Sequence, residues 1–338
     1  MLETIQATLT DFSQRDYRLH YCQLDADRLE NNRCTLSGVI LDAAALTEVV
    51  DELQTRFPTV SFKAADVKVL SSPEQKILTV ATNVTAVMSE PSWRSEQMSQ
   101  VLNGWQVERL MEQEGWVFVR QMRDNGYLGW VYRDYLSDET PPASTHMVYQ
   151  PTAVLYAEPS AASAQVGRVW AGMEVAVTDV SGDWAQLSLA GGVTGWLPQA
   201  ILRSLDELPR AEETRRQQIV NFANQLIGVP YLWGGRTALG IDCSGLAELA
   251  YRLSGVTIPR DADMQFAAGQ AVEPPFTPGD LLFFGSNRGH RAISHVAISL
   301  GDWRIVHSSR SRNGVYLDDV QAVPSLKNSF MGARTFLS

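Results

Sequence analysis

Residues 241–246, with the sequence IDCSGL, place a cysteine where a helix should begin. The run at 231–235 ends in two glycines, a tight turn that would bring backbone close to a substrate. Residues 246–253 are apolar at helical spacing until a Ser-Gly step ends the pattern. A thiol at a helix N-terminus faces unpaired N–H groups and the positive end of the dipole, which favours the thiolate. The stretch therefore predicts Cys243 as a nucleophile.

Two downstream histidines fit the needs of such a nucleophile. A thiolate requires a base, and the base requires a group that holds its ring. Residues 293–298 and 304–307 both read as strands, and they carry His295 and His307 among apolar residues. A lone buried cysteine or a lone strand histidine is more often structural. The three together, in the order Cys, His, His, favour a catalytic triad.

Four sequence blocks around these residues resemble the NlpC/p60 cysteine peptidases. They are 230–235 (PYLWGG), 242–246 (DCSGL), 278–284 (PGDLLFF) and 293–298 (ISHVAI), in the family's order within residues 210–338. The resemblance implies a papain-like α+β domain that cuts cell-wall peptides. It also implies that Cys243 is the nucleophile, His295 the general base and His307 the residue that orients the base.

Composition and charge limit the partners. The chain has 338 residues, of which 45% are hydrophobic and 20% charged, and its net charge is −10. This length favours two to three domains in a soluble protein. An acidic chain without a basic stripe is not drawn to nucleic acid or to an anionic membrane surface, so neither partner is expected.

The N-terminal sequence predicts a cytoplasmic location. The first thirty residues are rich in charge and lack the apolar stretch of a secretory signal. Cys22 and Cys34 could form a disulfide, but we expect free thiols on neighbouring strands.

An internal repeat precedes the catalytic region. The motif Thr-Ala-Val begins at residues 85 and 152, and Glu-Pro-Ser follows at 90 and 158. In both copies a glycine lies thirteen residues after the proline, at Gly104 and Gly172. Several short alternating runs in each copy indicate a small β-barrel. Both copies resemble bacterial SH3-like domains.

Residues 1–75 fit neither part and read as a small α/β unit of unknown role. Alternation predicts strands at 17–22 and 34–41, with a hairpin turn at Asn31-Asn32. Apolar periodicity predicts a helix over 43–57, ended by a proline, and a strand at 60–62.

The complete expected architecture is multidomain. It comprises the α/β unit at 1–75, SH3-like β-barrels at 76–138 and 146–204, and the papain-like NlpC/p60 domain at 208–338.

The combination of tandem barrels with no leader resembles the cytoplasmic γ-D-glutamyl-L-diamino acid endopeptidases, which recycle murein peptides. That resemblance implies a substrate of the form L-Ala-γ-D-Glu-diamino acid with a free N-terminal amine, and a first barrel that closes one end of the groove. An enclosed ammonium group needs carboxylates and hydrogen-bond acceptors. The candidates in matching places are Glu90, Tyr127, Asp242, Ser244 and Asp261.

Three further points complete the predicted site. Tyr231 either packs against the catalytic helix or donates to the developing oxyanion, and the resemblance favours the second role. Ala262 stands where the recycling enzymes often carry serine, which would remove one hydrogen bond, of order 1 kcal/mol. Zinc could in principle bind Cys243, His290, His295 and His307, but the close ligand pairs of zinc sites are missing, so no metal or cofactor is expected.

Two alternatives remain open. An exported hydrolase of the intact wall would differ in its leader and in the width of its groove. A catalytically silent protein that binds wall fragments would retain the barrels without the chemistry.

Overall fold

The computed structural model describes residues 1–123, 126–286 and 292–337. Its contacts divide the chain into two compact units. One comprises Met1–Leu78, Ser89–Ser95 and Gln106–Asp134, and the other comprises Thr79–Met88, Glu96–Trp105 and Tyr135–Ser338. No helix among the described residues is long and apolar enough to cross a membrane.

The N-terminal segment of the first unit is a three-stranded sheet with two helices. Its elements are α1 (Leu2–Ser13), β1 (Cys22–Glu30), β2 (Arg33–Ile40), α2 (Ala43–Arg56) and β3 (Ser61–Val69). Strand β1 pairs with β2 in antiparallel fashion, and α2 then returns the chain so that β3 lies parallel to β2.

Sequence and structure agree on much of this segment. The helix α2 and the hairpin are confirmed, with Asn31 and Asn32 both at positive φ (47° and 58°), as a tight hairpin turn requires. The strand expected at 17–22 is wrong, because β1 begins at Cys22 and runs to Glu30. Helix α1 was not anticipated, although Ile5, Leu9 and Phe12 carry its apolar spacing and enter the core.

Cys22 and Cys34 are free thiols on β1 and β2, as expected.

Residues 76–138 form seven strands that are divided between the two units. The strands are β4 (Ile77–Val80), β5 (Val84–Met88), β6 (Gln97–Leu102), β7 (Gln106–Gln113), β8 (Trp116–Gln121), β9 (Leu128–Tyr132) and β10 (Leu136–Ser137). In the first unit β7, β8 and β9 form an antiparallel meander. In the second unit β5 pairs with β6. That these residues form one SH3-like barrel stays a prediction.

Residues 146–204 form a seven-stranded sheet within the second unit. Its strands are β11 (His146–Val148), β12 (Thr152–Tyr156), β13 (Gln165–Trp170), β14 (Glu174–Ser181), β15 (Trp184–Ser188), β16 (Thr194–Pro198) and β17 (Leu202–Ser204). The order is β13-β12-β16-β15-β14-β11-β17, and the strands pair in antiparallel fashion.

The repeat is visible in local geometry. Each Glu-Pro-Ser turn is tied by a serine hydroxyl, since Ser95 donates to the Glu90 carbonyl at 3.0 Å and Ser163 to the Glu158 carbonyl at 3.2 Å.

The C-terminal domain places two helices and a hairpin before its sheet. These are α3 (Glu212–Gln225), β18 (Arg236–Thr237), β19 (Gly240–Ile241) and α4 (Cys243–Leu253). They are followed by α5 (Ala262–Ala268), β20 (Gln270–Val272), β21 (Leu281–Gly285), β22 (Ile293–Gly301), β23 (Arg304–Ser309), β24 (Gly314–Asp319), α6 (Pro324–Ser329) and β25 (Phe330–Thr335). The sheet order is β20-β25-β21-β22-β23-β24, and neighbouring strands are antiparallel.

Helix α4 packs against β22 and β23. Its buried residues Leu246 and Ala250 meet Val296 and Val306 of these strands in one hydrophobic core. The predicted arrangement is therefore confirmed: the cysteine helix lies on an antiparallel sheet that carries His295 and His307.

Candidate active site

The nucleophile candidate is the first residue of a helix that begins for a clear reason. Asp242 caps α4 and its carboxylate accepts a hydrogen bond from the Gly245 N–H at 2.6 Å. The same carboxylate accepts from the Gly234 N–H at 2.9 Å, which ties the preceding turn to the helix. The Asp242 carboxylate thus joins the turn before Cys243 to the first turn of the helix after it.

The two glycines of that turn allow close contacts within the chain. A Cβ on Gly235 would lie 2.3 Å from the Gly240 carbonyl oxygen, and a Cβ on Gly234 would lie 2.8 Å from the Gln97 carbonyl oxygen. The close approach that requires glycine is therefore to the chain's own backbone.

A buried arginine fixes the helix start. Arg260 is fully buried and donates to Asp242 through both terminal nitrogens, at 3.0 and 2.7 Å. It also donates to the Ser244 hydroxyl at 2.8 Å and to the Ser99 hydroxyl at 3.2 Å. The Ser244 hydroxyl in turn donates to Asp242 at 3.1 Å. The predicted substrate groups Asp242 and Ser244 are therefore both engaged within the protein, where they hold α4 in place.

The two histidines form a relay that ends on a carboxylate. His295 Nε2 lies 2.8 Å from His307 Nδ1, and His307 Nε2 lies 3.2 Å from Asp318 Oδ2. His307 is buried. It lies on β23, and Asp318 on the neighbouring β24, where the strand register puts both side chains on the same face.

This relay assigns the protons. An ionised carboxylate only accepts, so His307 donates from Nε2 and its Nδ1 must accept. His295 then donates from Nε2, which leaves its Nδ1 unprotonated. The ring of His295 is therefore held in the tautomer that a general base requires.

Cys243 contacts the strand that carries this base. The Val296 N–H, next to His295 on β22, makes a hydrogen bond to Cys243 that favours its thiolate. Burial nevertheless raises the pKa of the Cys243 thiol to about 12, and the Asp242 carboxylate adds to the rise. The helix start favours the thiolate, as expected, through the Ser244 backbone hydrogen bond, but desolvation outweighs this effect.

The pKa of His295 is shifted in the opposite direction, downward. Burial lowers the pKa of its imidazole to about 3, and the neighbouring His307 adds to the effect. The resting pair is therefore a neutral thiol and a neutral imidazole. Such a pair reacts by passing the thiol proton to His295 as the sulfur attacks.

Tyr231 lies beside the nucleophile. Its N–H donates to the Asn313 carbonyl at 3.2 Å, and it forms a parallel bridge with Ile241. Burial raises the pKa of its hydroxyl to about 12; the neighbouring Cys243 and Asp242 add to the rise, and a hydrogen bond from Arg310 opposes it. The hydroxyl thus stays protonated and able to donate, as an oxyanion contact needs. That role stays a prediction.

The other predicted substrate groups lie in different surroundings. Asp261 precedes α5, and one of its carboxylate oxygens lies 3.7 Å from the Arg260 guanidinium. Glu90 and Tyr127 belong to the first unit. There Glu90 is exposed on its turn, whereas Tyr127 is buried. The roles of all three stay predictions.

Sequence reasoning missed two contributors, Arg260 and Asp318. An acidic residue on the strand that follows His307 was a usable signal for Asp318. No pattern in the sequence pairs Arg260 with a capping aspartate eighteen residues before it. His290, considered as a metal ligand, lies outside the described residues. Within the described ranges, no group of three or more His, Cys, Asp or Glu residues could hold a metal ion.

The buried cysteine at a helix start and the histidine relay on an antiparallel sheet define a cysteine-dependent hydrolase. Comparison with known proteins agrees. Residues 228–336 match the NlpC/P60 family, and residues 151–202 match the bacterial SH3 domain. The chain therefore belongs to the NlpC/P60 family of peptidases, which are hydrolases, and it also carries a bacterial SH3 domain.

Its relatives include several curated peptidases. Dipeptidyl-peptidase 6 of Lysinibacillus sphaericus is 31% identical over 69% of this chain and 87% of its own. A γ-D-glutamyl-L-lysine dipeptidyl-peptidase of Bacillus cereus is 28% identical over 71% of this chain and 75% of its own. The crystal structure of an NlpC/P60 family protein from Bacillus cereus covers 78% of this chain and 100% of its own. Its TM-score is 0.67 and its sequence identity is 24%, so this comparison shows that the two proteins share a fold.

Proposed function

We propose that this protein is a cysteine endopeptidase that hydrolyses the bond between γ-linked D-glutamate and the diamino acid of peptidoglycan peptides. The observation that carries the hydrolase chemistry is the relay from Asp318 through His307 to His295, on the sheet that packs against the Cys243 helix. The choice of bond is supported by the γ-D-glutamyl-L-lysine dipeptidyl-peptidase relatives.

The geometry supports a two-step acyl transfer. Cys243 Sγ attacks the γ-carbonyl carbon while its proton passes to His295 Nδ1. The Tyr231 hydroxyl and the Cys243 N–H donate to the oxyanion. His295 then protonates the departing amine of the diamino acid, which leaves a thioester on Cys243. A water molecule, deprotonated by His295, hydrolyses the thioester and releases L-Ala-D-Glu.

We further propose that the enzyme selects peptides with a free N-terminal L-alanine, through the carboxylates of Glu90 and Asp261 and the hydroxyl of Tyr127. Such selection suits a cytoplasmic recycling role, which we also propose. Nascent wall precursors carry a blocked L-alanine and would be spared, whereas recycled fragments expose the amine.

Mass spectrometry of cleavage products tests the proposed bond and the amine selection together. Purified protein is given L-Ala-γ-D-Glu-diamino acid peptides with a free or an acetylated N-terminus. We expect release of L-Ala-D-Glu from the free peptides and at least a tenfold lower rate on the acetylated ones. Cleavage at another bond would overturn the specificity. Equal rates on both forms would favour a general wall hydrolase, and no cleavage by the wild type would favour a silent binding protein.

The repeat provides a matched control for Glu90. Glu158 occupies the same position in an equivalent serine-tied turn. Because an ammonium–carboxylate contact contributes about 1.5 kcal/mol or more, Glu90→Ala should lower kcat/KM about tenfold or more on free peptides and little on acetylated ones. Glu158→Ala should leave both unchanged. Equal effects of the two substitutions would mean that Glu90 is only a turn residue.

A further inference from the structure

The turn after the His307 strand is supported by hydrogen bonds between its side chains and backbone. It spans residues 309–313, between β23 and β24. The Ser311 N–H donates to the Ser309 hydroxyl at 3.3 Å, and the Ser311 and Tyr316 hydroxyls lie 2.5 Å apart. Asn313 ends the turn in the left-handed conformation, with φ 52°. The two arginines of this turn, Arg310 and Arg312, are therefore projected from a fixed backbone.

These arginines differ in their partners. Arg312 forms an ion pair with Asp318 and lies 3.8 Å above the Tyr316 ring. Arg310 is exposed and lies 5.5 Å from the ring centre of Tyr231 and 4.8 Å from that of Trp233. It also donates a hydrogen bond to the Tyr231 hydroxyl. Throughout the described ranges, no carboxylate forms an ion pair with Arg310.

The rings of Tyr231 and Trp233 form an aromatic platform beside Arg310, and two hydrogen bonds hold Trp233 in place. The Trp233 indole N–H donates to the Glu96 carboxylate at 2.6 Å, and the Gln97 amide donates to the Trp233 carbonyl at 2.8 Å. Trp233 remains 43% exposed, so this platform faces solvent. The other ring belongs to Tyr231, which bridges to Ile241, two residues before Cys243. Arg310 therefore lies at the edge of the reacting centre.

The Arg310 guanidinium has five N–H groups and uses only part of them on the Tyr231 hydroxyl. A guanidinium presents its donors as a planar fork that matches a carboxylate in two-point geometry. The contacts with the two rings also lower the mobility of the side chain, so less entropy is lost when an anion binds. An arginine without an acidic partner, held in this way beside the nucleophile, is suited to bind a substrate anion.

We propose that Arg310 is a specificity residue that binds a carboxylate of the substrate next to the scissile bond. The inference rests on the proposed function, because that function supplies the peptide. Two groups of such a peptide share this chemistry. One is the free α-carboxylate of the γ-linked glutamyl residue. The other is the second carboxylate of a diamino acid such as diaminopimelate, which lysine lacks.

Three peptides separate the two sources, each with a free N-terminal L-alanine and a main-chain carboxamide at the C-terminus. The first, L-Ala-γ-D-Glu-L-Lys-amide, retains only the glutamyl carboxylate. The second replaces D-Glu by D-isoglutamine and has no carboxylate. The third joins D-isoglutamine to diaminopimelate and has only the side-chain carboxylate of the diamino acid. We would measure kcat/KM for the wild type, Arg310→Ala and Arg310→Lys.

We expect Arg310→Ala to lower kcat/KM about tenfold or more on one carboxylate-bearing peptide and little on the peptide without a carboxylate. Arg310→Lys should lose less, because it keeps the charge without the fork. Loss confined to the first peptide assigns the glutamyl carboxylate, and loss confined to the third assigns the diamino acid.

Arg304→Ala is the matched control, since Arg304 is an exposed arginine at the other end of β23. It should change none of the three rates. A wild-type enzyme that cleaves the peptides, combined with an Arg310→Ala variant that loses the same factor on all three or on none, would overturn the assignment of Arg310 alone. Failure of the wild type on every peptide would overturn the proposed function itself.

Discussion

At the scale of single residues, the protonation of the candidate base His295 depends on Asp318, at the far end of the histidine relay. Asp318 receives the His307 N–H, and this contact determines which nitrogen of His295 is free. Without the carboxylate, the neutral His307 ring can present an N–H to His295 from its other nitrogen. His295 would then hold its proton on the wrong side for accepting one from Cys243.

Asp318→Ala should therefore lower kcat about tenfold while KM changes little. Part of the His295 population would hold its proton on the wrong nitrogen, whereas the groups that contact the substrate would be unchanged. Asp318→Asn should be milder, since the amide oxygen can still accept from His307. The neighbouring Asp319→Ala serves as the control, with thermal melting to verify folding. A change in KM alone would place Asp318 outside the relay.

The same residues determine the pH dependence of activity. Burial lowers the pKa of His295 to about 3, so the base should remain neutral well below the ordinary histidine value of about 6.5. We expect the acid limb of kcat/KM, which reports the free enzyme, to lie below pH 6. The measurement uses a peptide whose own groups do not titrate between pH 4 and 7. An acid limb at pH 6.5 or above would show that His295 is not desolvated in the free enzyme.

At the scale of elements, two equivalent turns differ in what surrounds them. Gly104 and Gly172 both adopt positive φ, at 79° and 82°. A Cβ on Gly104 would meet only the Glu174 carbonyl oxygen, at 3.7 Å. A Cβ on Gly172 would lie 2.7 Å from Leu249 of the catalytic helix α4. The bacterial SH3 domain thus packs directly on the helix that carries Cys243.

Both glycine-to-alanine substitutions should cost about 1 kcal/mol through the left-handed backbone. Gly172→Ala should cost about 1 kcal/mol more, because Leu249 must shift within a packed core. Urea unfolding of the two variants measures the difference. Only Gly172→Ala should also reduce kcat, through displacement of α4. Equal costs for the two variants would mean that Leu249 has room to move.

At the scale of the whole molecule, the lowered pKa of His295 affects folding stability. The unfolded chain binds a proton at His295 below about pH 6.5, whereas the folded protein resists it to about pH 3. The unfolded state therefore binds more protons in this interval, and stability falls as the pH falls through it.

Between pH 6.5 and 5.5, the free energy of unfolding should decrease by about 1 kcal/mol more for the wild type than for His295→Gln. Because carboxylates titrate equally in both proteins, the difference isolates the histidine. Urea unfolding at the two pH values provides the measurement. Parallel losses in wild type and variant would show that His295 takes up its proton in the folded state as readily as in the unfolded one.

The sequence alone predicted many of the elements and the three candidate catalytic residues. The helix beginning at Cys243 and the strands of His295 and His307 follow from local periodicity and turn residues, which act over a few positions. The repeat at 85–104 and 152–172 is likewise recognised from matching residues at matching spacings. These features need no knowledge of what packs against them.

The tertiary structure decided the properties that depend on surroundings. Arg260 meets Asp242, and Asp318 meets His307, only once the chain folds. The protonation of Cys243 also depends on burial, which reversed the preference expected from its position at a helix start. Local sequence specifies the helix dipole, but the desolvation that outweighs it comes from residues distant in the chain.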